Sequence, residues 1–206
     1  MFTAAYTLSK ALGNASSDTE NDHNYANLYW MYGPLSYDVT HVFTGSYVWY
    51  LPKLTNQSAF IRIPFSNWQL SGIIHVQSGF PDNITASTPI LGTREADYIG
   101  GPGVLPNPGP DGWYNPAAFA AAPQARFGNS GAGNVRAPGL QQYDLSVARF
   151  FNFTERTRLQ FRADFINAFN IVNFQGPSTN FSNSDFGTIS SAYPPRNIQL
   201  SMKVEF

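Results

Sequence analysis

Three histidines, His23, His41 and His75, are the obvious candidate bases of this chain, and none has the company that base catalysis or zinc binding needs. No two of them stand at the spacing of a helical metal site, and no serine–histidine–acid signature surrounds any of them. His41 and His75 fall in alternating segments and read as strand residues. The stretch "SDTENDH" at 17–23 puts Asp18, Glu20 and Asp22 at every second position, as calcium loops do. It lacks the central glycine and bidentate glutamate of an EF-hand. A solvated loop is the expectation there, with an external divalent-ion site as the alternative. "GNSGAGNVR" at 128–136 contains G-x-G, but it follows no strand and opens no helical pattern, so no dinucleotide site is expected. Arg158, Gln160, Arg162 and Asp164 recur at every second position, which on a strand forms one charged row. Such a row pairs with neighbouring strands; functionally it suits a ligand path or contact with an enclosed domain. These residues point to no enzyme, no metal and no cofactor.

Composition narrows the class. The 206 residues carry 12 Lys+Arg against 13 Asp+Glu, a formal charge of −1, so no net field draws nucleic acid. Only 12% are charged, about half of the roughly 25% usual in globular domains. Aromatics reach 16%, with 17 Phe and 11 Tyr. That balance fits a surface partly in contact with something other than water. Cysteine is absent, which excludes disulfides and thiolate metal sites. No apolar run approaches the ~20 residues of a spanning helix. "MFTAAYTLSKAL" lacks the basic start and cleavage site of a signal peptide. The sequons at Asn14, Asn56, Asn83, Asn152 and Asn180 follow from abundant Asn, Ser and Thr.

The elements that must position these side chains have a period of two. Phe2, Ala4, Tyr6 and Leu8 alternate with polar or small residues, and 38–51, "DVTHVFTGSYVWYL", is β-branched and aromatic up to Pro52. Residues 66–79 set Trp68, Leu70, Ile74 and Val76 against Gln69, Ser71, His75 and Gln77. Residues 140–152 and 157–169 alternate likewise, the second with Leu159, Phe161, Ala163, Phe165 and Phe169 on its apolar face. Residues 196–206 end the chain with Ile198, Leu200, Met202, Val204 and Phe206 opposing Asn197, Gln199, Ser201, Lys203 and Glu205. Six strands follow, most of 11–14 residues by these bounds, against a usual length of about 5–6.

The links between them are unequal. Residues 13–37, 80–139 and 170–195 are long, 52–65 is shorter, and "FTER" at 153–156 is a tight turn. This is the pattern of an up-and-down barrel with elaborate outer loops and brief inner turns. The fold class expected is all-β: an antiparallel meander forming an open segment of a larger barrel. The stretch 80–138 holds nine Gly and nine Pro; a loop of that length belongs in a compact domain only when it folds on itself or its neighbours.

The ordered series "YTLSKAL" (6–12), "DVTHVFTGSYVWYLP" (38–52), "NWQLSGIIHVQSGFP" (67–81), "GWYNPAAF" (112–119), "FGNSGAGNVRAPGLQQYDLSVAR" (127–149), "RLQFRADFINAFNIVNF" (158–174) and "PRNIQLSMKVEF" (195–206) resembles the C-terminal portion of TonB-dependent outer-membrane receptors, especially the Oar-like group of acidobacterial type. The resemblance spans nearly the whole chain. It implies a 22-stranded type of barrel with an internal plug, residence in the Gram-negative outer membrane, and uptake of a siderophore, glycan or peptide. Residues 1–206 would then be the C-terminal part of that barrel, without plug. Six strands cannot close even an eight-stranded barrel, so the chain is expected to be one piece of a receptor. Its implied partners are membrane lipid, the plug and remaining strands, TonB through the missing N-terminal part, and the barrel assembly machinery. That machinery would read the terminal strand Ile198, Leu200, Met202, Val204 and Phe206. With a periplasmic C-terminus, 13–37, 80–139 and 170–195 lie outside the cell, and Trp49 and Trp68 sit near the periplasmic turn 52–65, where an aromatic girdle belongs. Arg158, Gln160, Arg162 and Asp164 would face the lumen. The alternative is a surface β-sandwich, a carbohydrate-binding or adhesin module with Trp113 and Tyr114 as exposed stacking platforms.

Overall fold

The computed structural model describes residues 1–16, 31–52, 58, 60, 65–123, 126–154 and 156–206. Strict alternation of side chains lets a strand be greasy on one side and wet on the other, and six segments do this in one sheet. They are β1 (Phe2–Leu8), β2 (His41–Tyr50), β3 (Trp68–Gln77), β4 (Leu140–Asn152), β5 (Arg158–Ile166) and β6 (Asn197–Glu205). Each pairs antiparallel with the next in chain order, a pure meander with β1 and β6 at its two edges.

The register joins the apolar sets of all six strands into one surface. Its central rung runs Trp49–Leu70–Val147–Ala163–Leu200. The opposite face carries Val48, Ser71, Ser146, Asp164 and Gln199 along the equivalent rung. Among the described residues no second sheet covers the apolar side: Leu200 is 68% exposed, Met202 71% and Phe2 69%. Of the buried hydrophobic side chains among the described residues, Ala148 alone belongs to the six long strands. The sheet therefore has no core of its own, and the sandwich alternative fails on that point.

β4 keeps the expected bounds 140–152, but most of the other strands are shorter than their alternation suggests. β2 begins at His41 because Asp38 is drawn into contacts at the sheet's rim, described below. β5 stops at Ile166 because Asn167 and Asn170 turn with positive φ, 54° and 53°, a conformation asparagine tolerates better than most residues. Phe169 thus leaves the strand, though its ring still packs edge-on against Tyr143, 5.4 Å between centroids.

The three long links, after β1, β3 and β5, rise from one end of the sheet. Among them run short antiparallel ladders: Leu12–Gly13 with Gly33–Pro34, Pro81–Asp82 with Val135–Arg136, Thr85–Thr88 with Gly92–Glu95, Asp97–Tyr98 with Phe119–Ala120, and Val104–Gly109 with Gly112–Tyr114. The Pro-rich stretch is compatible with pairing because Pro106 and Pro108 sit in the irregular middle of their strand, between the matched ends Val104–Tyr114 and Gly109–Gly112. The protein's buried apolar cluster lies here: Ile84, Ala86, Ala96, Tyr114, Ala118, Phe119 and Val135, closed by Trp113, Val104, Phe181 and Phe186. These loops form a crown folded around a core.

The sheet's two faces should respond oppositely to charge. Val147→Arg, in the middle of the apolar face, is expected to lower stability in lipid vesicles by about 2–4 kcal/mol, whereas Ser201→Arg on the polar face costs under about 1 kcal/mol. Urea unfolding of the vesicle-inserted protein measures both; equal losses would contradict a hydrocarbon-facing surface.

Candidate functional site

The polar face is a row of paired charges set by the register. Arg162 donates from Nε to both carboxylate oxygens of Asp164, at 2.8 and 3.0 Å, and from Nη2 to Ser146 Oγ at 3.1 Å. The Ser146 hydroxyl in turn donates to Asp164. Further down, Arg158 pairs with Glu205, whose other oxygen lies 2.8 Å from Lys203 Nζ. Arg158, Gln160, Arg162 and Asp164 all stand on this face, opposite Glu205, Lys203, Ser201 and Gln199 of β6. His75 is held between Thr44 Oγ1 at 3.3 Å and Gln77 Oε1 at 2.9 Å, and no histidine joins Ser146 and Asp164. The arrangement can bind and orient a polar surface; it holds no nucleophile–base pair.

Where this face meets the crown lies a cleft of about 330 Å³ lined by Gln142, Asn167, Asn173, Tyr193, Asn197 and Gln199, among others. Two of its asparagines build the wall. Asn173 exchanges two hydrogen bonds of 2.8 Å with the backbone of Gln141, and Asn167 does the same with Ile171, at 3.0 and 2.9 Å. The Asn167 amide also donates to Asp144 Oδ1 at 2.9 Å. These bonds cap the edge of β4 beyond the end of β5, so "NAFNIVNF" is a strand-ending device. The cleft lining contains no charged side chain.

The crown is fastened to the sheet by an ion pair. Asp38, 1% exposed, receives Arg136 Nη2 at 2.5 Å and the Ala11 amide at 2.6 Å. Arg136 Nη1 donates to Gly79 O at 2.9 Å, so one guanidinium joins the links after β1 and β3 at the rim. Gly79 allows the chain to pass: a Cβ there would lie 1.7 Å from Ala137 O. The Arg136 guanidinium, through its hydrogen bond, holds the Asp38 carboxyl below the usual carboxylate range. Inside the crown, Tyr114 donates to Asp82 Oδ2 at 2.5 Å. Burial pushes the Asp82 carboxyl up, against the lowering effect of that bond, and pushes the Tyr114 hydroxyl up as well. Tyr114 is 1% exposed and Trp113 Nε1 donates to Arg136 O at 2.8 Å. Both aromatics serve the crown's interior, which corrects their reading as exposed stacking platforms.

The two ends of the apolar face carry aromatic rings. At the short-turn end stand Trp49 and Trp68, with Arg149 paired across from Trp68. At the crown end, the Tyr6 hydroxyl and His41 Nδ1 are hydrogen-bonded at 2.8 Å on β1 and β2, and the Tyr143 and Phe169 rings pack edge-on at β4. Rings at both ends of an apolar band are the pattern of a membrane-spanning barrel wall. Alternation revealed the rows but not the Asp38–Arg136 pair or the placing of Arg149 over Trp68, whose members are far apart in sequence. The acidic stretch 17–23, with His23, lies outside the described residues, as does most of 52–65. Among the described residues no group of three or more His, Asp or Glu could hold a metal ion.

The family described as outer membrane beta barrel domain matches residues 1–199. The chain belongs to that family, and its place is the bacterial outer membrane. No curated protein and no solved structure matches it.

Replacing Asp38 by Asn should loosen the crown by about 2–3 kcal/mol at neutral pH, since Arg136 loses its charge partner while retaining access to water. The pH dependence has a worked sign. The Asp38 carboxyl is depressed in the folded state, so its contribution is full above the ordinary value of about 4 and is lost as pH falls below it. Asp82 is raised, so its effect is the reverse: stability declines as pH climbs above about 4. Hydrogen exchange of the Ile84 and Val135 amides, corrected for intrinsic rates, should show protection falling below pH 4 in the wild type and not in Asp38→Asn.

Proposed function

We propose that this member of the outer membrane beta barrel family is the C-terminal wall of a TonB-dependent receptor of the Oar-like kind, which takes up a nutrient using energy delivered by TonB. The observation that carries this reading is the polar face. It spans six strands, bears the Arg158–Glu205–Lys203 and Arg162–Asp164–Ser146 networks, and has no packed interior against it among the described residues. A barrel of about eight strands fills its inside with its own side chains; a hydrated, charged wall suits a wide lumen that encloses something else. In a receptor that occupant is the plug, which Arg158, Gln160, Arg162 and Asp164 would meet, while further barrel strands pair with the edges at β1 and β6. The assembly machinery would take the terminal strand, Ile198, Leu200, Met202, Val204 and Phe206, with Phe206 fully exposed at its tip.

The crown, in this reading, is the outer face. Its uncharged, amide-lined cleft favours a glycan or peptide as the imported ligand over a charged siderophore, because amides pair with hydroxyl and peptide groups without a net charge to match.

The absence of native cysteine makes orientation measurable. A single cysteine at Tyr98 in the crown should react with membrane-impermeant maleimide on intact cells, whereas one at Thr154 in the short turn should react only after the outer membrane is permeabilised. The reverse pattern would invert the topology. Transport is tested separately: cells lacking this chain and cells lacking TonB should lose uptake of the same oligosaccharide or peptide, and retained uptake without TonB would remove the energy-coupled reading.

A further inference from the structure

The apolar face holds one charged residue. Across β1 to β6, the register places Phe2, Tyr6, Phe43, Tyr47, Leu70, Ile74, Leu145, Val147, Phe161, Phe165, Leu200 and Met202 there, and among the Asp, Glu, Lys and Arg of the described strands only Arg149 joins them. It sits on the rung Trp68–Arg149–Phe161. Its guanidinium lies over two rings, 5.4 Å from the Trp68 centroid and 4.4 Å from that of Phe151. Trp49 is one rung away and 57% exposed.

Depth decides what this arrangement meets. Arg149 lies eight positions along the strand from Gln141, a polar residue at the crown end of the face. That is about 26 Å along the strand, or about 20 Å across the membrane at the usual barrel tilt, close to the height of an apolar band. Arg149 therefore stands at the level where hydrocarbon gives way to headgroups. The only anion found there in abundance is the lipid phosphate, and a planar guanidinium presents paired donors to it. The two rings lie against the guanidinium, and the acyl chains can run down the neighbouring Leu70, Val147 and Phe161.

We propose that Arg149, with Trp68, Trp49 and Phe151, forms a binding site for the phosphate of a membrane phospholipid on the outer wall of the barrel. The site needs the apolar face to contact lipid, which family membership supplies, and it rests on the receptor reading only for the leaflet, which would be the periplasmic one. It is distinct from the lumenal face and from the crown.

The test uses the full chain extracted from outer membranes in dodecyl maltoside, a phosphate-free detergent. Native mass spectrometry and heat-induced loss of the folded gel band follow titration with phosphatidylglycerol and, separately, with a glycosyl diacylglycerol of the same acyl chains. The wild type should retain one phosphatidylglycerol saturably, at least fivefold tighter than the glycolipid. Arg149→Gln should erase that preference and Arg149→Lys should keep part of it, having charge without the planar fork. No preference in the wild type, or an equal preference in Arg149→Gln, overturns the proposal. Should Arg149→Gln not fold, Trp68→Leu replaces it, with at least a threefold loss expected and unchanged retention counting against the site. Inorganic phosphate tests the other source of the same chemistry: if it stabilises the folded band as well as the lipid does, the site is one for soluble anions and the lipid assignment falls. None of these readouts depends on uptake or TonB, so failure here leaves the receptor reading standing, and failure of that reading leaves the site.

Discussion

Everything in this molecule follows from a sheet whose apolar side has none of the described residues packed over it. In water such a surface would collapse onto another layer or aggregate. In hydrocarbon it is the stable arrangement, provided that each backbone amide and carbonyl is paired within the sheet. The antiparallel ladder from β1 to β6 meets that condition along the shared length of its strands, and where β4 runs past β5 the Asn167 amide and the Asn173 side chain bond to β4 in place of β5. Membership of the outer membrane barrel family supplies the solvent that the geometry demands.

Folding energy is accordingly distributed in an unusual way. The buried apolar cluster belongs to the loops, around Ile84, Tyr114, Phe119 and Val135, and not to the long strands. The crown resembles a small water-soluble domain mounted on a membrane wall, and its aromatic contacts, such as Phe186 against Phe119, Phe181 and Tyr114, do the work of a core. A domain inserted between strands must be held in register with them. Asp38 with Arg136 does this at one side of the rim, and Asn173 with the backbone of Gln141 at another. In each pair one member, Asp38 or Asn173, is buried, so a lost partner leaves a buried polar group unsatisfied.

The polar face and the apolar face share strands, so a change of register by one residue would exchange them. Charge pairs on the one side and rings on the other make that slip costly. Arg162 with Asp164 and Ser146 ties β4 to β5, and Arg158 with Glu205 ties β5 to β6. On the apolar side, Arg149 reaches Trp68 on β3 and Phe151 on its own strand.

Much of the wall was legible in the chain. Alternation marked all six strands and both faces, because a side-chain period of two is a local property that survives in the sequence of any half-exposed strand. Strand ends were less legible: Asn167 and Asn170 stop β5 through backbone turns that periodicity cannot register. The crown was not legible at all beyond its length and its Gly and Pro content. Its core joins Ile84, Tyr114 and Phe181, and its anchor joins Asp38 to a guanidinium 98 residues away. Trp113 and Tyr114 look like surface aromatics in a polar, Pro-rich context, and only three-dimensional packing turns them inward. Sequence determined which side of each strand prefers hydrocarbon, since that is written residue by residue. Tertiary structure alone decided how the loops close over the rim and which charge is placed among the rings, because those pairings depend on chain segments meeting from far apart.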